Sequence, residues 1–284
     1  MAKNTLTLGP VEITTGPESP SRMALLLWGD AGCGKTTWAA TAPGKKLWLS
    51  FGDQEHVVVR HRKDVMVADF SGMDFHDLFK FGQNDNPFGL DGILADNEEI
   101  TTVVCDSITA IIFRALQKAL YMKIGASREF TPTIEAPGIS AYGARNAITL
   151  EVLTGLLRVT AKHGVHFIAT AHEDDPKLKK EGRDEVIDYI GIMLGGKIVS
   201  NTTWRLSEIW YMSQNATGAR NRRIAVRPTR LRRPMKSRMF SGLGNPEFEL
   251  LYDPDKPDNA KGQMTIARFF EEWRDGNGVK LKVP

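Results

Sequence analysis

Residues 29 to 36 run Gly29, Asp30, Ala31, Gly32, Cys33, Gly34, Lys35, Thr36, a glycine and four residues followed by Gly-Lys-Thr. Glycines at this spacing let backbone N–H groups turn inward, and the lysine and threonine add a mobile cation and a hydroxyl metal ligand. A chain of phosphates is the group such a loop fits. Lys35 is therefore expected on the β- and γ-phosphates of ATP, Thr36 on Mg2+, and Thr37 within the same binding run.

Asp106 ends the apolar run TTVVCD, the place from which a carboxylate can hold Mg2+. The next residue, Ser107, cannot take a proton from water. A general base must then come from the end of a neighbouring strand, because ligands in open α/β sheets lie beyond the carboxyl ends of the strands. The stretch LWLSFGDQEH offers Glu55 first and Asp53 second.

These groups need a scaffold, and the hydrophobic pattern describes one. MALLLW (23 to 28), KLWLSF (46 to 51), DVMVADF (64 to 70), TTVVCD and VHFIATAH (165 to 172) read as buried strands. Helices are expected after the glycine loop, over SITAIIFRALQKALYMKI and over AYGARNAITLEVLTGLLRVTAKHG. Residues 82 to 98, 125 to 140 and about 173 to 200 read as loops, rich in glycine, proline or charge. Strands resume in TTWRLSEIWYMS and RRIAVRP, and MTIARFFEEWRD is an amphipathic helix. Strands alternating with helices imply an α/β fold with a mainly parallel twisted sheet covered on both faces. The expected organisation is an arm over 1 to 22 with one short strand at VEIT, a core over 23 to 245 and a C-terminal extension over 246 to 284.

The composition is that of a globular chain, with 42% hydrophobic and 25% charged residues among 284. No run approaches the 18 apolar residues of a membrane span, and MAKNTLTLGP lacks a signal-peptide core, so a cytoplasmic location is expected. Cys33 and Cys105 are too few for a disulfide framework or a four-cysteine zinc site. The formal net charge is +3, yet residues 220 to 238 hold nine basic and no acidic residues. The positive charge is thus concentrated in one segment, which suits a polyanionic partner.

Taken together, the motifs resemble a RecA-type ATPase core. LSFGDQEHVV is similar to the segment that carries the catalytic glutamate of RecA proteins, which again points to Glu55, and VVCDSITAI is similar to their magnesium strand. HFIATAH resembles the strand that ends in a γ-phosphate sensor, implying His172, where RecA itself has glutamine. PMKSR resembles the element that reaches a neighbouring subunit's nucleotide, implying Lys236 and Arg238. Order and spacing fit from about residue 23 to 240. The resemblance runs closest to phage RecA-like proteins of the Sak single-strand-annealing group, which would place the protein in a bacterial host cell.

That resemblance implies ATP and Mg2+ as cofactors, single-stranded DNA as partner and self-association into a filament or ring. No N-terminal helical domain of the bacterial RecA kind is expected, and the arm over 1 to 22 is a candidate replacement for the subunit contact that domain makes. The two long loops fall where RecA proteins meet DNA, making Arg128 and Arg145, with Phe130 and Tyr142, candidate contacts. Lys177, Lys179 and Lys180 are further candidates, although 173 to 197 holds five basic and seven acidic residues. In the basic segment Arg222, Arg223, Arg230, Arg232 and Arg233 are expected on DNA phosphates. A DnaB-like ring helicase core or loader and a nucleotide-switched module with little turnover are the alternatives.

Overall fold

The structure is a computed structural model and describes residues 6–8, 11–13, 22–52, 54–82, 85–124, 126, 131–181, 184–195, 197–214, 222–242, 244–245, 247–275 and 279. Along the chain, β1 (Leu6–Leu8) and β2 (Val11–Ile13) form an antiparallel pair. Then come β3 (Ala24–Gly29), α1 (Lys35–Ala39), β4 (Lys45–Ser50), a 3-10 turn (Glu55–Val59), β5 (Val65–Asp69) and α2 (Phe75–Gly82). They are followed by α3 (Leu90–Asp96), β6 (Ile100–Asp106), α4 (Ile108–Tyr121), α5 (Gly138–Lys162) and β7 (His166–His172). The remainder is β8 (Lys177–Glu181), β9 (Asp184–Tyr189), α6 (Lys197–Thr203), β10 (Glu208–Gln214), β11 (Arg222–Ala225), β12 (Glu247–Leu250) and α7 (Ile266–Arg274).

Eight strands build one sheet in the order β12-β11-β10-β3-β7-β6-β4-β5. From β10 to β5 all neighbours are parallel, while β11 and β12 add an antiparallel edge. Side chains alternate across each strand, so a strand covered on both faces must be apolar throughout. In β3, Leu26 and Trp28 join the core beneath α2 to α5, whereas Leu25 and Leu27 join the core around Trp38 and α7. Burying each such leucine contributes about 1.5–3 kcal/mol. The expected parallel sheet with helices on both faces is the observed fold.

Three stretches read as loops from the sequence carry regular structure. Residues 82 to 98 include α3, where Leu90 and Leu94, four apart, are both buried. Residues 177 to 189 form the antiparallel hairpin β8–β9, whose charged side chains hide its strand character, because a ribbon standing off the core has no apolar face. In the first loop α5 already begins at Gly138. Residues 247 to 274, read as an extension, add β12 to the sheet and α7 to its second core. Trp38 Nε1 donates to the Met264 carbonyl at 2.9 Å, and its ring meets Phe269 edge-on.

Candidate active site

The carboxyl ends of β3, β6 and β7 lie side by side, and the groups singled out for phosphate chemistry converge there. β3 opens into the glycine loop at Gly29, where φ is +154° and a Cβ would overlap the Met212 carbonyl of β10. Gly34, at φ +96°, turns the loop into α1. Both conformations belong to glycine. Lys35 is buried, and its ammonium donates to the carbonyls of Gly29 at 3.0 Å and Asp30 at 2.7 Å, which holds it across the mouth of the loop. Thr36 and Thr37 follow in the first turn of α1, both half-buried, while Asp30 and Ala31 are exposed. Burial pushes the Cys33 thiol up, so it serves as a small apolar filler.

Asp106 ends β6 with only 2% of its surface exposed. One carboxylate oxygen accepts from the Thr170 hydroxyl on β7, and the other, Oδ2, is buried with no hydrogen-bond partner. Burial raises the pKa of this carboxyl, while Thr170, Thr36 and Lys35 pull it back down. A buried oxygen without a donor is what a cation would satisfy. One carboxylate and the Thr36 hydroxyl beside a phosphate cradle fit Mg2+, which keeps water and substrate oxygens as its other ligands.

Glu55 starts the 3-10 turn after β4 and faces this centre. Its pKa is raised to about 7, first by burial and then by the charge of Asp106. Ser107 finds its role here: its hydroxyl reaches Glu55 Oε1 at 3.4 Å and also accepts from the Ala110 N–H at 3.2 Å, capping α4. The serine that cannot be a base orients the residue that can. Glu55 Oε2 is buried without a partner. Asp53, the second choice, lies outside the described residues.

His172 ends β7 opposite Gly29, and its N–H donates to Thr109 Oγ1 at 3.0 Å. Burial, then the Lys35 charge, lowers the pKa of its ring, so it is a neutral hydrogen-bonding group at pH 7. Lys236 and Arg238 do not join this cluster within one chain. Lys236 bridges Ile209, and the Arg238 N–H donates to Glu208 Oε1 at 2.9 Å. Glu208 and Ile209 pair with Leu25 and Leu26, several residues along β3 from the glycine loop.

The DNA candidates separate into groups. Lys177 is paired with Asp174 at 2.8 Å, Lys179 with Glu181 at 2.7 Å, Arg233 with Asp188 at 3.8 Å and Arg223 with Glu247 at 3.9 Å. Lys180 and Arg230 are exposed. Arg233 lies over the Tyr189 ring at 4.6 Å and Arg232 over Tyr211 at 4.5 Å, and Ile190 exchanges backbone bonds with Leu231 and Arg233. The second loop and the basic segment are therefore one joined surface. Arg145 is half-buried, stacks on Tyr142 at 4.7 Å and packs against Gly195, while Arg128 and Phe130 lie outside the described residues. Arg222 rests against Gly34 of the glycine loop.

Sequence reasoning missed Thr170, Ser107 and Glu208 as site-building groups. A lone threonine in HFIATAH and a lone glutamate before IWYM were the available signals, because a polar side chain inside a doubly buried strand must have a partner. Glu208, fully buried, accepts from Trp210 Nε1 at 2.8 Å, from the Ser237 hydroxyl and from the Arg238 N–H. Among the described residues no helix is long and apolar enough to cross a membrane.

Among solved structures, the chain is similar to a KaiC-like protein from the hyperthermophilic archaeon Pyrococcus horikoshii, with 14% identity, a TM-score of 0.42, and 84% of this chain and 88% of that one covered. It is also similar to the RadB recombinase, with 16% identity, a TM-score of 0.40, and 76% and 87% covered. No match is found among curated proteins. A family model described as an AAA domain matches residues 21–237, most of the chain, and takes in the glycine loop, Glu55, Asp106 and His172. The chain therefore belongs to this AAA-domain family.

Proposed function

We propose that the protein binds and hydrolyses ATP, binds single-stranded DNA and works as an oligomer in recombination or annealing. The observation that carries this reading is the meeting of the glycine loop, Asp106 and Glu55 at one end of the sheet, with Glu55 raised to about 7. A base tuned near the working pH is half ionised when needed and still strong enough to accept a proton.

In this reading the loop N–H groups and Lys35 hold the phosphates. Glu55, oriented by Ser107, accepts a proton from the attacking water, and His172 hydrogen-bonds near the γ-phosphate. Mg2+, held by Thr36 and Asp106, would neutralise phosphate charge. Lys236 and Arg238, held at Ile209 and Glu208 rather than beside their own loop, act on the nucleotide of an adjacent subunit, which makes self-association part of catalysis. DNA binding rests on the surface joined through Ile190, with Arg230, Arg232, Arg233 and Lys180 as its cations. Nucleotide state reaches it through His172, whose carbonyl accepts from the Met193 N–H at 2.9 Å, just beyond the hairpin.

The test is the steady-state ATP hydrolysis rate with and without single-stranded oligonucleotide across a salt series. Stimulation that fades as salt rises is expected, since each neutralised phosphate releases a counterion. Hydrolysis indifferent to DNA at low salt would remove DNA from the reading and leave an ATPase with a different partner.

A further inference from the structure

We infer that Arg222 binds the phosphates of the nucleotide held by its own subunit, rather than DNA. β11 runs antiparallel to β10, and the register Gln214 to Arg222 brings the first residue of β11 to the sheet end where Gly29 opens the glycine loop beside Met212. There the guanidinium lies directly against Gly34. A Cβ on Gly34 would stand 2.7 Å from Arg222 Nε, 2.8 Å from Cζ and 3.0 Å from Nη2. The missing side chain at position 34 thus serves the loop's conformation and also admits the guanidinium beside Lys35.

Arg222 is half-buried, and its Nε is buried without an acceptor. Among the described residues it forms no ion pair, whereas Arg223, the next residue along β11, is exposed and pairs with Glu247. A guanidinium held against Gly34 of the glycine loop, with a buried donor that has no acceptor, calls for an oxyanion. Phosphate oxygens match its planar fork, and the cradle adjoining Gly34 is built to hold them. A DNA strand would have to enter the glycine loop itself to reach the same donor.

The inference rests on the ATP-binding reading, and the experiment keeps the two apart. Affinities for ATP, ADP and inorganic tripolyphosphate, each with Mg2+, are measured for the full chain and for Arg222→Gln and Arg222→Lys, together with oligo(dT) affinity in the absence of nucleotide. The glutamine variant is expected to bind all three phosphates about 10- to 100-fold more weakly, the loss of a charge-assisted hydrogen bond. The lysine variant should recover part of this, and oligo(dT) affinity should not change. If Arg222→Gln loses stability, Arg222→Lys, which keeps the charge but not the fork, carries the comparison. Undiminished ATP affinity with weakened oligo(dT) binding would overturn the assignment in favour of DNA. Weakened ATP with unaltered tripolyphosphate would overturn it in favour of the nucleoside. A wild-type chain that binds no ATP would defeat the nucleotide reading first and this inference with it.

Discussion

Glu55 is placed where its charge is unwelcome, and Glu55→Gln should reveal this in stability as well as in turnover. Its folded pKa of about 7 stands above the ordinary glutamate value of 4.5, so the native state retains a proton that the unfolded chain gives up. Where the native state binds more protons, stability falls as pH rises. Glu55 therefore costs nothing below pH 4.5, costs progressively more up to pH 7, and costs a constant amount above it. That gap corresponds to about 3 kcal/mol. The group is partly exposed, and solvent screening reduces this to about 1–2 kcal/mol. Glutamine is neutral at every pH and can still accept from Ser107. In thermal melts without nucleotide, Glu55→Gln should match wild type near pH 4.5 and exceed it above pH 7 by about 3–6 °C for a domain of this size. The same variant should bind ATP normally and lose about 10²- to 10⁴-fold in turnover. A Glu55→Gln chain no more stable than wild type at pH 8, or a difference that does not vary with pH, would refute the argument that burial and Asp106 raise this carboxyl.

Thr170→Val removes the hydroxyl that donates to Asp106 while keeping the shape of the side chain. The Mg2+ concentration for half-maximal hydrolysis should rise about 10- to 100-fold, the usual loss when a hydrogen bond supporting a metal ligand is deleted. It should rise most at low pH, since losing Thr170 lifts the Asp106 pKa further. Lys236→Ala and Glu55→Gln should each be inactive alone, yet mixing them should restore part of the hydrolysis, because some interfaces then combine an intact Glu55 with an intact Lys236. A mixture as inactive as its components would place Lys236 outside the neighbouring site.

The carboxylate site shows how far a linear reading can go. The glycine loop was legible because its chemistry is contiguous: eight neighbouring residues specify their own turn, and glycines at 29 and 34 mark backbone angles that no other residue adopts easily. The buried strands were legible because a strand covered on both faces must be apolar along its length, as ALLLWG is. The β8–β9 hairpin was not, because a ribbon of charged residues off the core carries no hydrophobic period.

By itself, then, the sequence determined a phosphate loop between a strand and a helix, a parallel sheet to carry it, Asp106 at a strand end and Glu55 as the base to look for. Only the tertiary structure decided what surrounds those groups. Ser107 meets Glu55 across 52 residues and Thr170 meets Asp106 across 64, through strands adjacent in the sheet but distant in the chain. Arg222 leaves the row of basic residues to lie on Gly34 because β11 folds back antiparallel beside β10. The physical reason is common to all three. Propensity and local spacing act over a few residues, whereas burial, which raises Glu55 and leaves Asp106 Oδ2 without a donor, depends on which distant strand becomes the neighbour.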